Sequence, residues 1–378
     1  MTGGEVLAAH HSLTTRELRL SGNRLEYNFK PGVRGYPELH PGVLLMLEGL
    51  KHEVPTLIDA TATAGLLALG AWGTGLAERI EVVEPSRAAL ACAAKTFAAM
   101  PEVSPKASLP WLVKGEADAF ALAPQTDRGT SRVVAEVDGA HAVLRPRGRL
   151  YAVMHKDQGA KRYEKYIKER FGELEVLAKS GGWRLVRAKK ERLERRPVEA
   201  ITFEAAGLRL EAQPGVFSAG KLDPGTALLL ESLDAAALAQ KRVLDLGCGY
   251  GLLALVAARA GAQATGLDDD LGAVIASRAN AERLGIEASF LHSDIDSALA
   301  TEARFEAVLM NPPFHVGKKV ALDLPKAFLA AAKRRLVKGG RLTLVANKAL
   351  GYEEELSSWS GWREVAHNRH FKVLEAVR

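Results

Sequence analysis

Cysteine is nearly absent: Cys92 and Cys248 are the only two in 378 residues. Two thiols cannot build a disulfide framework and lack the spacing of the usual zinc sites. No metal is therefore expected, and a reducing cytoplasm is. Aromatic residues are scarce at 6%, and the chain holds six Asn and five Gln. Poverty in heat-labile amides leans towards a thermophilic source. Long apolar runs are missing too. Stretches such as Val43–Leu47 and Leu252–Ala258 fall far short of the ~20 residues a membrane span needs. Met1–Gly4 opens without the basic and apolar regions of a secretory signal, so no membrane partner is expected. What is present, 47% hydrophobic and 25% charged residues, is the composition of a globular protein. The length calls for two domains at roughly 150 residues each.

The net charge of +6 lies in one half. Residues 1–200 hold 30 Lys/Arg against 24 Asp/Glu, and residues 201–378 hold 21 of each. The excess concentrates in 155–196, where 14 basic residues face seven acidic ones. Lys161, Arg162, Lys165 and Lys168 are candidates for RNA contact, since clustered cations attract polyanions through counterion release. A solvated helix face is the alternative, because Glu164, Glu169 and Glu173 are spaced to pair with neighbours.

The chain also repeats itself. Leu39-His40-Pro41-Gly42 recurs as Leu222-Asp223-Pro224-Gly225, and LIDATATAGLLAL from Leu57 recurs as LDLGCGYGLLAL from Leu244. Asp59 and Asp245 are 186 apart, as are Gly65 and Gly251, and Arg147–Leu150 recurs 192 later as Gly339–Leu342. Landmarks in one order at nearly constant offset imply a duplicated domain. The copies are expected to span 1–190 and 198–378, joined by the charged stretch Lys189–Pro197.

Each copy reads as alternating strands and helices. In the second, strands are expected at Arg242–Leu246, Gln263–Leu267, Ala288–His292, Phe305–Met310 and Arg341–Ala346. Helices are expected at Leu252–Ala260, Leu271–Leu284 and Pro325–Leu336. Such alternation predicts two tandem α/β, Rossmann-like domains, each a doubly wound, mostly parallel sheet. Ligands on these sheets sit beyond the carboxyl ends of the strands.

The turn Asp245-Leu246-Gly247-Cys248-Gly249-Tyr250-Gly251 follows the first of those strands. Its glycines let a ligand approach the backbone, and Asp268, about twenty residues on, is placed to accept ribose hydroxyls. A nicotinamide cofactor would suit this part equally. Asn311-Pro312-Pro313-Phe314 after the fourth strand resembles the catalytic loop of S-adenosylmethionine-dependent amino-group methyltransferases. An exocyclic amine is a poor nucleophile because its lone pair is delocalised. The Asn311 side-chain carbonyl and the Pro312 backbone carbonyl could accept from its N–H groups, with the prolines keeping them preorganised. Phe314 would stack on the flipped base.

With Asp294 after the third strand, and with Phe217, Asp223 and Thr226 upstream, the second copy resembles a class I methyltransferase. The whole chain resembles the bacterial ribosomal RNA guanine-N2 methyltransferases, most closely the small-subunit (16S), RsmC-type enzymes. The resemblance is specific from about Pro214 onwards. It implies S-adenosylmethionine as cofactor, bound through Asp245, Gly247, Cys248, Gly249, Gly251, Asp268, Asp294 and Asn311. It gives Phe217, Asp223 and Thr226 a place over that cofactor, although they could equally form a structural lead-in with Asp223 as a helix cap. His315 either contacts RNA or finishes the turn. A monomer acting on ribosomal RNA or the assembled small subunit is expected.

The first copy departs from the pattern. Thr61 and Thr63 stand where Gly247 and Gly249 stand, Glu84 stands at Asp268, and no Asn-Pro-Pro appears near Arg132–Asp138, where the fourth strand is expected to end. This copy is read as inactive, holding RNA or steadying the other. Alternatives are an oxidoreductase, which leaves Asn311–Phe314 unexplained, and a non-enzymatic RNA-binding assembly factor, which leaves the cofactor site unexplained. Among methyltransferases they are a 23S rRNA guanine enzyme and a protein glutamine N5-methyltransferase.

Overall fold

Strands covered by helices on both faces must be apolar on both sides. Val243–Leu246 and Ala307–Met310 are accordingly buried at every position. The computed structural model describes residues 3–20, 22–313 and 323–378. Two units emerge: Ser12–Glu199, and residues up to His11 together with Ala200–Arg378. The first helix, α1 (Gly3–His11), thus belongs with the second unit, although its place in the chain puts it with the first half.

The first unit opens with a hairpin, β1 (Thr14–Leu20) and β2 (Asn23–Phe29). There follow α2 (Pro41–Gly49), β3 (Val54–Ala60), α3 (Leu66–Gly73), β4 (Ala77–Glu84), α4 (Arg87–Thr96) and β5 (Val103–Ala107). Next come β6 (Ala117–Leu122), α5 (Thr130–Val143), β7 (Leu144–His155) and α6 (Ala160–Phe171), and a closing pair, β8 (Gly172–Ser180) and β9 (Trp183–Lys190). Its sheet runs β5-β4-β3-β6-β7-β9-β8.

The second unit repeats the plan. A hairpin, β10 (Ile201–Ala205) and β11 (Leu208–Ala212), precedes α7 (Pro224–Ser232), β12 (Arg242–Leu246), α8 (Leu252–Arg259) and β13 (Gln263–Asp268). Then come α9 (Leu271–Leu284), β14 (Ser289–His292), β15 (Phe305–Met310), α10 (Asp323–Arg335) and β16 (Leu336–Asn347). The unit ends with α11 (Tyr352–Leu356), β17 (Gly361–His367) and β18 (Phe371–Val377). The order β14-β13-β12-β15-β16-β18-β17 matches that of the first unit strand for strand. In each sheet the first five strands are parallel; β18, and β9 in the first unit, runs against them and pairs antiparallel on both sides. Strand order reverses between β12 and β15, and a crevice for ligands opens at such a switch point.

The doubly wound fold is the one the sequence predicts, with three differences of detail. The closing antiparallel pairs and the leading hairpins are not predicted. Edge strands carry charge on their open faces, as β17 does with Arg363, Glu364 and His367, and the apolar alternation fades. The fifth strand begins early, because Leu336 pairs with Phe305 before the chain loops out at Gly339 (φ +76°) and pairs again at Arg341. Arg132–Asp138 is not a strand end but part of α5; the fourth strand of the first unit stops at Leu122. Val133, Ala135 and Val137 are buried helical positions, and the β-branched residues of that run give it the look of a strand.

Candidate active site

The glycine turn leaves β12 with Gly247, Gly249 and Gly251 all in the left-handed region, at φ +86°, +54° and +91°. Gly247 and Cys248 both donate their N–H to the Leu267 carbonyl at 2.9 Å, which ties the turn to the end of β13. Asp268 secures it further. One carboxylate oxygen accepts from Gly249 N–H at 2.9 Å and the other from Asp270 N–H at 2.9 Å. Each oxygen keeps a lone pair for a hydroxyl. At Gly251 a Cβ would come within 2.8 Å of the Ser277 Cβ, so this position admits no side chain; at Gly249 a Cβ would meet open space, the room a ligand needs.

Asp245 is buried near the end of β12. Its Oδ2 accepts from Ala254 N–H at 3.0 Å, while Oδ1 is buried with no hydrogen-bond partner. Burial, reinforced by Asp268, pushes its carboxyl up to about 7. Burial, with Asp270 adding to it, likewise pushes Asp268 up to about 7. Cys248 is buried, and burial followed by the neighbouring carboxylates holds its thiol well above the usual range. An inert thiol fits a packing role rather than a nucleophile.

Asn311 lies half-buried at the end of β15. Its Nδ2 donates to Asp223 Oδ2 at 3.1 Å and to Thr226 Oγ1 at 2.9 Å. Asp223 also caps α7, accepting from Thr226 N–H at 2.8 Å. The three residues therefore meet, but around Asn311. Pro312 is buried behind them and Pro313 is exposed. Phe217 is 57% exposed, an unusual state for a phenylalanine ring. Phe314 and His315 lie outside the described residues.

Asp294 is buried and engaged by α1: His10 Nε2 lies 2.8 Å from Oδ1 and His11 Nδ1 lies 3.3 Å from Oδ2. No local signal joins residues 284 apart, so neither histidine stands out in the sequence. Asp296, two residues on, is fully buried and salt-bridged to Arg334 and Arg335. Burial would raise its carboxyl, but His11 and the two arginines outweigh it and hold it below the usual range.

The corresponding turn of the first unit is built differently. Its left-handed residues are Ala62, Ala64 and Gly65, not the positions of the first two glycines. Thr61 and Thr63 are fully buried and bonded to each other at 2.8 Å. Both oxygens of Asp59 are occupied, by Thr61 N–H and Oγ1 and by Ala68 N–H. Tyr27 donates to the Thr63 carbonyl, and Arg34 donates to the carbonyls of Thr61, Ala123 and Pro124. Side chains of the unit itself thus take up the polar groups of this turn.

On α6, Lys161, Arg162, Lys165 and Lys168 are all exposed. Arg162 stacks over Tyr163 and donates to Thr130 Oγ1 at 2.9 Å, and Lys165 sits 3.9 Å from Glu169. Four of the other cations of this stretch are matched internally. Arg170 is buried on Asp138, Arg184 is bidentate on Glu164, Arg187 reaches Glu175, and Lys190 is buried against the Leu144 carbonyl.

A family model described as "Methyltransferase small domain" matches the chain twice, over residues 24–187 and 207–375. The chain is 41% identical over 191 residues to the ribosomal RNA small subunit methyltransferase C of Chromohalobacter salexigens, and 38% identical over 194 residues to that of Escherichia coli. Those alignments cover 50% and 49% of this chain, and only 57% and 55% of the relatives' lengths. A solved structure, the Thermus thermophilus 16S rRNA N2 G1207 methyltransferase (RsmC) in complex with AdoMet and guanosine, superimposes with a TM-score of 0.88. It is 35% identical, with both chains covered completely.

Proposed function

Because the chain belongs to the methyltransferase small domain family, and within it to the RsmC-type small-subunit ribosomal RNA methyltransferases, we propose that its second unit methylates the N2 amine of a guanine in 16S rRNA. The observation that carries this reading is the arrangement of Asn311. Its amide is held by the nitrogen at the end of β15, next to the strand that feeds the open glycine turn.

S-adenosylmethionine supplies an electrophilic methyl group on a sulfonium. The residues present fit it: a turn whose glycines leave open space, a buried Asp245 oxygen without a partner, and Asp268 with lone pairs for ribose hydroxyls. Asp294, steadied by His10, stands just past the end of β14 for the cofactor. Asn311 Oδ1 and the Pro312 carbonyl accept from the substrate amine as charge develops on nitrogen. The C–S bond breaks as the N–C bond forms, and the amine proton leaves to solvent afterwards. No residue with a base's free lone pair is needed before attack. Phe314 stacks on the base.

The first unit binds no cofactor in this reading and helps to hold the RNA, through Lys161, Arg162, Lys165 and Lys168. Their exposure supports that role, and Arg170, Arg184 and Arg187 are instead paired within the unit. His315 is a further candidate for RNA contact in the second unit. The test is transfer of labelled methyl from S-adenosylmethionine to 16S rRNA and to assembled small subunits, followed by digestion and mass spectrometry. N2-methylguanosine at one position is expected. Label on another base, on 23S rRNA or on protein glutamine would overturn the assignment.

A further inference from the structure

Asp223 Oδ2 does two things at once. It caps α7 through Thr226 N–H at 2.8 Å, and it accepts from Asn311 Nδ2 at 3.1 Å. The Thr226 hydroxyl lies 3.2 Å from the same oxygen and 2.9 Å from Asn311 Nδ2. With its own proton given to Asp223, the hydroxyl has only lone pairs to offer Asn311. A carboxylate likewise offers only acceptors. The NH2 end of the Asn311 amide must therefore face this pair, and its carbonyl must face away.

The cap alone does not require a carboxylate. Lys30–Gly42 and Gln213–Gly225 align without a gap and place His40 at Asp223, Val43 at Thr226, and Pro31, Gly32, Val33, Leu39, Pro41 and Gly42 on identical partners. His40 still caps α2, with Nδ1 accepting from Val43 N–H at 3.2 Å. Sheet register equates Asp59 with Asp245 and Ala121 with Leu309, so Ala123 stands where Asn311 stands. In the first unit the three polar residues that touch one another are all replaced, while the helix cap and the surrounding frame persist.

We infer that Asp223 and Thr226 are positioning residues for methyl transfer, clamping the Asn311 amide by its nitrogen so that its carbonyl oxygen is aimed at the substrate amine. The inference rests on the methyl-transfer reading above. Donation into two acceptors also polarises the amide and strengthens its oxygen as an acceptor. The two residues then act through Asn311 and not on the cofactor.

Asp223→His and Thr226→Val install the residues that the first unit carries, so the helix cap is retained. At saturating RNA and S-adenosylmethionine, kcat should fall by about ten- to a hundredfold, the effect of losing one charge-assisted hydrogen bond. Cofactor affinity by calorimetry and the melting temperature should stay unchanged, and Asp223→Asn should restore part of kcat. Weakened cofactor affinity with kcat preserved would make the pair cofactor contacts and overturn the inference; so would no change in either quantity. A readout independent of activity is the side-chain amide resonance pair of Asn311, assigned by its loss in Asn311→Ala. Its protons should exchange slowly in the wild type and shift in Thr226→Val. Fast exchange in the wild type would refute the clamp. If the wild-type protein methylates no ribosomal RNA, the functional reading fails, while the resonances still decide the clamp.

Discussion

Two carboxyls in one crevice, Asp245 and Asp268, are both pushed up to about 7, chiefly by burial. Raised values mean that the folded chain keeps protons which the unfolded chain has released, between about pH 4 and pH 7. Without cofactor, the second unit should therefore lose stability as pH rises through that window, by on the order of a few kcal/mol. Asp245→Asn can still accept from Ala254 N–H but cannot ionise, so it should flatten the decline in melting temperature measured from pH 5 to pH 8. A cationic ligand with ribose donors favours the ionised carboxyls. S-adenosylmethionine affinity should accordingly rise with pH across the neutral range and weaken in Asp245→Asn; calorimetry at pH 6 and pH 8 checks both. At Asn311 the expectation separates binding from chemistry. Asn311→Ala removes one preorganised acceptor, worth about 3–4 kcal/mol of barrier or roughly a hundred- to a thousandfold in rate. Cofactor binding should survive it, and single-turnover kinetics with 16S rRNA would show a retained rate if the assignment is wrong.

Among the elements, α1 has the least expected allegiance. It precedes the first unit in the chain but groups with the second, burying Val6, Leu7 and His10. Gly3 approaches α10 closely enough that a Cβ would lie 3.3 Å from the Ala330 Cβ. Leu7→Ala should cost about 2–5 kcal/mol if the surrounding core cannot collapse into the gap, and less if the terminal helix simply frays. Amide exchange resolved by segment should show the loss of protection in β13 to β15 and α10, with the first unit unaffected. Equal loss in both units would contradict the grouping. His10→Ala should in addition weaken cofactor affinity, since Asp294 loses the partner at 2.8 Å that holds it.

For the molecule as a whole, duplication has produced two sheets of identical order with differently built turns. A Cβ at Gly249 would meet open space, whereas Thr61, Thr63, Tyr27 and Arg34 hydrogen-bond to one another's groups at the corresponding turn. One S-adenosylmethionine should bind per chain, and a calorimetric stoichiometry of two would refute the division of labour. The charge asymmetry makes a separate claim. Neutralising Lys161, Arg162, Lys165 and Lys168 together should lower affinity for a 16S rRNA fragment and flatten its salt dependence. The slope of log affinity against log salt should drop by about 0.7–0.9 for each phosphate that the variant no longer neutralises, with cofactor affinity unmoved. A wild-type slope in the fourfold variant would assign these cations to a solvated face.

Much of this is legible in the chain itself. The parallel sheets and the glycine turn rest on local patterns: short apolar runs alternating with helical spacing, and glycine where the backbone must turn left-handed. The duplication rests on motifs repeated in order, and the Asn-Pro-Pro loop on a resemblance. Tertiary structure alone decides what those residues hold. In sequence Asp223 and Thr226 could be cofactor contacts or a capped helix start; only the fold shows that they grip Asn311 across 88 and 85 residues. His10 reaches Asp294 across 284. The Thr61/Thr63 turn differs from its counterpart in backbone as well as in side chains. The basic stretch near Arg170 counts as charge in the sequence but is partly spent on buried partners in the fold. Periodicity and composition record what each residue prefers among its neighbours in the chain. Hydrogen bonds and ion pairs between distant segments leave no such record, because they exist only once the sheet has set the segments side by side.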